Sequence, residues 1–506
     1  MGRHSIPELP LPRPAVMPDL ASTVMPTHLL TPQVDPIRPL SAPGIPGPRR
    51  PIHSGGLRVV SRTTGTAGQL RTPTGPAAPE PRLLARPADG SPPARLATHL
   101  RVHGPLPRAE LLGRKGAGRL IQAAELAGLR GRGGAGFPTG VKMAAVCKAG
   151  HPKRPPVVVA NGCEGDPTSG KDRLLLRVAP HLVLDGIALA VHAVGADEAT
   201  LCVHRGDPLV EHLERAIAER TEDPVRVRVV AVPARYVSSE SSALVNFLTS
   251  GDARPTAGPP RPSEQGVHGR PTLVDNVETL AHLALIARHG PDWFRARGTD
   301  ESPGTTLVTI GGVVRGPGVY EIDLGTPIGR VLPLAGGTSV SAQALLLGGV
   351  GGSWLPMPSA VDLELSHEGC AAGGSGMGVA SLVALPDTAC GVRATALMIR
   401  HLAGESAGQC GPCMLELPAI ADDLDAAAVG RMDRELGDRL YRRLQVIPGR
   451  GACAHPDGAV RMASSALEVF RRDLTNHFYG RPCRAPDTAI PPVLADLRAA
   501  AEGSWW

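Results

Sequence analysis

The chain has 506 residues, of which 42% are apolar and only 3% aromatic, with 61 Gly and 52 Pro. That length holds two to four domains, with cores packed mainly by Ala, Val and Leu. Nine cysteines, an odd number, argue against a disulfide framework. The formal charge of +6 is concentrated in residues 1–107, which carry 12 Arg against 5 acidic residues, so the body is close to neutral and no nucleic-acid partner is expected.

Residues 1–80 read as a disordered Pro/Arg-rich tail, because short apolar residues between prolines follow neither helical nor strand periodicity. No charged leader with an apolar core and no 18-residue uncharged apolar run appears. The expectation is a cytoplasmic protein with no direct membrane span, peripheral on the inner face of the membrane. Order begins near residue 81. Short helices are predicted over 108–112 and 117–127, followed by the glycine-rich stretch 128–142, in which Gly131, Gly133, Gly134 and Gly136 alternate with Arg130, Arg132, Phe137 and Lys142. A backbone without Cβ atoms can crowd an anionic or planar ligand, although the order of glycines is not the dinucleotide spacing and also suits a tight structural loop.

A buried strand over 156–160 ends at Asn161, and Glu164 and Asp166 follow it, where α/β sheets place ligand-binding groups. The same Asn, Gly and Asp residues also suit a turn. Alternating strands and helices then predict a doubly wound α/β sheet, with strands over 200–204 and 225–232. Strands at 306–310 and 313–322, followed by a short helix over 327–332, suggest a small ubiquitin-like domain. From Val392 onward the pattern is that of a helical bundle. Of the cysteines, only Cys410-Gly411-Pro412-Cys413 has metal-site spacing.

Four segments in order, 128–142, 161–173, 271–280 and 405–413, resemble those of the FMN-binding, NADH-oxidising subunits of respiratory NADH:quinone oxidoreductase and of related diaphorases. The likeness covers roughly residues 104–483. It implies an FMN/NAD(P)-binding Rossmann-like α/β domain over 81–300, a β-grasp domain over 301–365, a helical iron–sulfur-type domain over 366–486 and a C-terminal tail over 487–506.

FMN is then implied to be held by Gly131, Arg132, Gly133, Gly134, Gly136, Phe137 and Lys142, with Asn161 and Asn276 assisting. Glu164 and Asp166 are the implied catalytic carboxylates bordering the flavin and nicotinamide pocket, and Glu240 is placed near the dinucleotide. The implied partner is an electron-accepting ferredoxin-like or membrane subunit.

The chain departs from the family pattern at several positions. The family's first cluster cysteine is Ala407 here, leaving Cys410, Cys413 and Cys453. Three thiolates leave open a 4Fe–4S cluster completed by another donor, such as Ser406 or His455, a 3Fe–4S cluster, or no cluster. Asp275 replaces the first of two family asparagines, and Ala145 and Arg261 replace aromatics expected against the dinucleotide. The donor thus stays open between NADH and NADPH. A degenerate, non-catalytic subunit that keeps the fold and binds a partner is the alternative to an enzyme.

Overall fold

A computed structural model of the chain describes residues 80–86, 94–107, 116–221, 223, 225–484, 487–498 and 504–506. All of these belong to the unit Gly68–Trp506. The tail before residue 80, the helix expected over 108–112 and part of the C-terminal tail lie outside the described residues.

The first sheet contains β1 (Val157–Asn161), β2 (Glu198–His204), β3 (Val227–Val232) and β4 (Thr272–Asn276), all parallel, in the order β3-β2-β1-β4. β1 is a Val-Val-Val-Ala run with no polar alternation, and those four residues are buried, as a strand covered on both faces requires. One covering helix, Pro180–Val194, starts on a proline and stops at Gly195 in the left-handed conformation (φ 70°). It packs against helix Val277–His289, and Gly186 permits this closeness: a Cβ there would collide with the Leu280 carbonyl oxygen.

The second sheet is mixed. β5 (Thr305–Gly312), β6 (Gly318–Asp323), β7 (Ala342–Leu347), β8 (Ser353–Pro356) and β9 (Ser381–Pro386) are arranged β6-β5-β9-β7-β8. β9 pairs parallel with β5 and antiparallel with β7. It lies within the 366–486 segment that the resemblance implies to be a helical domain, so this sheet runs beyond the 301–365 span expected for it. The hairpin also differs in detail, since β5 extends to Gly312 (φ 78°) and β6 begins only at Gly318.

Helices Gly391–Gly404, Leu417–Ala428, Arg434–Val446, His455–Val469 and Arg471–Phe478 follow. Trp354 of β8 joins the sheet to them: its indole N–H donates to Thr395 Oγ1 (3.0 Å), and its ring meets Phe470 edge-on at 5.2 Å. Among the described residues no single helix is long and apolar enough to cross a membrane. The bent apolar pair Lys171–Val178 and Pro180–Val194 belongs largely to the buried core.

Candidate functional site

The strand order places a switch point between β1 and β4: the chain adds β2 and β3 on one side of β1, then returns to lay β4 on the other. Crevices beyond the carboxyl ends of strands at such points are where α/β sheets bind ligands. Asn161 and Asn276, the last residues of β1 and β4, are register partners at this edge.

The glycine loop lies over the same edge, between helices Gly116–Leu126 and Thr139–Ala149. It is closed by Gly131 N–H donating to the Phe137 carbonyl (2.9 Å) and tied to helix Val277–His289 by Arg132 N–H donating to Thr279 Oγ1 (2.9 Å). Gly134 and Gly136 have φ of 108° and 62°, and a Cβ on Gly136 would sit 2.5 Å from His367 Cε1. A Cβ on Gly133 would stand 3.4 Å from Asn276 Cβ. The loop is thus shaped by conformations and clearances that side chains would remove. Phe137 stays largely exposed at its rim.

The cations of the loop are partnered within the protein. Lys142 Nζ lies 2.7 Å from Asp275 Oδ1 and 3.0 Å from the Val274 carbonyl oxygen. Arg130 pairs with Glu368 at 2.6 Å. Arg132 turns inward, donating to the Pro303 and Thr305 carbonyls, with its Nε 3.9 Å from Glu278. Burial pushes its guanidinium down to about 10. Behind the loop, Lys171 bridges Asp172 (2.6 Å) and Glu278 (2.9 Å), and Asn276 donates to Asp172 (2.7 Å). Burial alone would raise the Glu278 carboxyl, but Lys171 and its neighbours hold it well below the usual range. Asp172 is pushed up to about 6 by burial against the pull of Lys171. Such a network costs desolvation and fixes geometry more than it stabilises.

The carboxylates predicted from sequence serve as anchors. Glu164 accepts from Ser169 Oγ (2.6 Å) and from the Asp172 and Arg173 backbone N–H groups (3.2 Å each), so it holds the start of helix Lys171–Val178. Asp166 is buried and accepts from Thr168 N–H and Oγ1 and from Val350 N–H (2.9 Å), joining the post-β1 loop to the loop after β7. Burial raises its carboxyl. Asn161 donates to the Ser239 carbonyl at 2.8 Å. Glu240 caps helix Ser241–Ser250, accepting from Ser242 and Ala243 N–H. Its charge, after burial, contributes to raising the Cys453 thiol.

In the cysteine segment Cys413 is buried and Cys410 and Cys453 are half-buried, and charge on Cys410 or Cys453 acts on the Cys413 thiol. Burial, then Cys410, pushes Cys413 up to about 12. Pro412–Glu416 forms a π-helical turn, a distortion frequent at functional sites. Of the two substitutes weighed for the missing ligand, Ser406 lies in the cysteine segment itself, four residues before Cys410. His455 instead hydrogen-bonds the Leu402 carbonyl (2.8 Å) and packs on Tyr236. The preceding residue in the segment, Glu405, forms a buried ion pair with Arg235 (3.0 Å) and accepts from Tyr236 N–H (2.9 Å), which docks the segment onto the first sheet's side of the protein.

Sequence patterning assigns no role to Lys171, Asp172 and Glu278. Glu278 and His282 are the available signal, as ionisable residues within the mainly apolar stretch of helix Val277–His289 that precedes Arg288.

A glycine-loop crevice at the switch point of a parallel sheet, with a separate cysteine segment on the helices, is the arrangement expected of FMN-dependent NADH dehydrogenases. Residues 124–285 match the Nuo51 FMN-binding domain, and residues 393–477 match the NADH-ubiquinone oxidoreductase-F iron–sulfur binding region. The F subunit of NADH-quinone oxidoreductase from Streptomyces coelicolor is 33% identical over 380 residues, covering 72% of this chain and 84% of that protein. Its counterpart from Escherichia coli is 32% identical over 374 residues, covering 70% and 83% respectively. The crystal structure of an NAD+-reducing NiFe hydrogenase in the H2-reduced state superposes with a TM-score of 0.67 at 32% identity; it covers 71% of this chain, which spans 63% of that one.

The chain belongs to the family of NADH-quinone oxidoreductase F subunits. It is an NADH-oxidising flavoprotein with FMN-binding and iron–sulfur binding regions.

Proposed function

We propose that FMN lies in the crevice between the glycine loop and the ends of β1 and β4, and that electrons from NADH leave through the thiols of Cys410, Cys413 and Cys453. The observation that carries this reading is the register pairing of Asn161 with Asn276 beneath a loop in which Gly134 and Gly136 hold positive φ and Gly136 leaves no room for a Cβ. The cradle fits a flat, anionic group: the backbones of Gly131, Arg132, Gly133, Gly134 and Gly136 form its wall, Phe137 its rim, and Lys142 its cationic end.

When bound, FMN supplies the conversion between a two-electron hydride and single electrons. The protein orients the reactants and excludes water. Glu164 and Asp166 hold the loop that borders the flavin and nicotinamide positions. Glu240, at the N-cap of helix Ser241–Ser250, is the acidic group on the dinucleotide side. Three thiolates fit an iron–sulfur cluster of 3Fe–4S type, or of 4Fe–4S type with Ser406 as the additional oxygen donor.

In this reading the FMN domain is followed by a β-grasp domain and a helical iron–sulfur domain, and the acceptor is a ferredoxin-like or membrane partner subunit to which the chain attaches peripherally. The test is anaerobic reconstitution of the full chain with FMN, titrated by quenching of flavin fluorescence, followed by addition of NADH. Stoichiometric quenching followed by bleaching of the flavin is expected. A chain that leaves FMN free in solution sinks the reading.

A further inference from the structure

A second group of sulfur and nitrogen ligands lies elsewhere in the helical region. The Cys390 and Cys483 thiols and a ring nitrogen of His477 all lie within 4.8 Å of one another. Cys390 immediately precedes helix Gly391–Gly404, His477 is in the last turn of helix Arg471–Phe478, and Cys483 is on the loop beyond it. Cys390 and His477 are buried and Cys483 half-buried.

The imidazole is already oriented for ligation. Its Nδ1 faces the Ala427 carbonyl oxygen at 2.9 Å, a contact that requires the proton on Nδ1 and leaves the lone pair on Nε2. Nε2 is 3.8 Å from Cys390 Sγ and accepts from Cys483 N–H at 2.9 Å. That amide belongs to a half-buried loop and can turn to solvent when another group takes the lone pair. Asp473 stands one helical turn before His477, on the same face of helix Arg471–Phe478.

We propose that Cys390, His477 and Cys483 are the ligands of a structural zinc site separate from the Cys410–Cys413–Cys453 segment, its fourth position taken by solvent or by a side chain such as Asp473 that moves in when the ion binds. Two sulfurs and one nitrogen form a borderline-soft set suited to zinc, whose tetrahedral shell takes one further donor. Binding releases both thiol protons to solvent and changes no oxidation state. The ion would fasten the loop after helix Arg471–Phe478 to the start of helix Gly391–Gly404. The C-terminal residues Ile490, Leu494 and Leu497 reach the same hydrophobic core from that loop. The site is a clip for the end of the chain.

The test measures zinc in the full-length protein purified from zinc-replete cells, in wild type, Cys483→Ser, Cys390→Ser and Cys410→Ser. About one zinc per chain is expected in wild type and in Cys410→Ser, falling at least tenfold in the other two variants. Wild type stripped of metal and titrated with cobalt(II) alone provides a measurement that needs no substitution. Thiolate-to-cobalt absorption saturating at about one equivalent is expected, and it should persist in Cys410→Ser. The proposal is overturned by wild type that takes up neither metal, by zinc retained in Cys483→Ser, by zinc lost in Cys410→Ser, or by a Cys390–Cys483 disulfide found in the freshly isolated chain.

Discussion

The Lys142 ammonium reaches across the crevice edge to the buried Asp275 carboxylate at 2.7 Å, so the cation best placed for a flavin phosphate is held by an internal anion. Burial raises the Asp275 carboxyl against the pull of Lys142, and its second oxygen has no hydrogen-bond partner. Asp275→Asn keeps the shape and releases Lys142, so FMN should bind more tightly, by about 1.5–3 kcal/mol for a charge-assisted contact. Lys142→Ala should weaken FMN binding and leave Asp275 unpaired. Fluorescence titration of both variants checks this, and unchanged affinities would remove the pair from the site.

Gly136 has φ 62° and faces the His367 ring. Gly136→Ala should cost about 1–3 kcal/mol of stability and distort the cradle, with a parallel loss of FMN affinity. The double variant with His367→Ala relieves the clash but not the backbone strain, so only part of the affinity should return. Chemical denaturation and FMN titration separate the two effects.

Glu405 and Arg235 are both buried, so breaking their pair strands a charge. Glu405→Gln is expected to cost about 3–5 kcal/mol, whereas replacing both partners with Leu and Met should cost less. Urea denaturation monitored by Trp fluorescence measures the difference, and equal losses would argue against a desolvated pair.

His181 and His282 are fully buried, and burial pushes both imidazoles down to about 4. Between the ordinary value of about 6.5 and that value, the unfolded chain binds protons that the folded chain refuses. Their contribution to stability is therefore complete above about pH 6.5 and is lost as pH falls towards 4, at about 1.4 kcal/mol per pH unit for each ring. Thermal midpoints measured across this window should decline, and His282→Gln should make the decline shallower. Identical slopes for both proteins would refute the assignment.

The cysteine segment predicts iron content. Cys410→Ser should abolish the cluster formed on anaerobic reconstitution, and Ala407→Cys should raise iron towards four per chain by restoring a fourth thiolate. Iron and acid-labile sulfide analysis distinguishes these outcomes: iron rising from about three to about four per chain marks a 3Fe–4S cluster completed by the new thiolate, and about four per chain in both proteins marks a 4Fe–4S cluster already completed by another donor.

Local patterns carry a good deal of this architecture. The uniform apolar run of β1 and the alternation of strands with helices announce the parallel sheet, and the glycine loop and Cys410-Gly411-Pro412-Cys413 announce the two halves of the site. What stays hidden depends on pairing between distant residues. Nothing local to Lys142 indicates that Asp275 will hold it, and Cys390 and His477 are 87 positions apart. The anchoring of Glu164 and Asp166 by backbone N–H groups likewise appears only after the loop is folded. β9 escapes sequence patterning because a short apolar run next to glycine-rich chain reads alike in a strand or a helix.

The central place of β9 bears on how the chain matures as it is made. β5 to β8 are synthesised first but remain two separate hairpins, β5 with β6 and β7 with β8, until residues 381–386 arrive to bridge them. An isolated hairpin is marginally stable in water. A nascent chain that stops before Pro386 therefore exposes two unpaired strand edges, and the last strand of the sheet to leave the ribosome is the one that closes it.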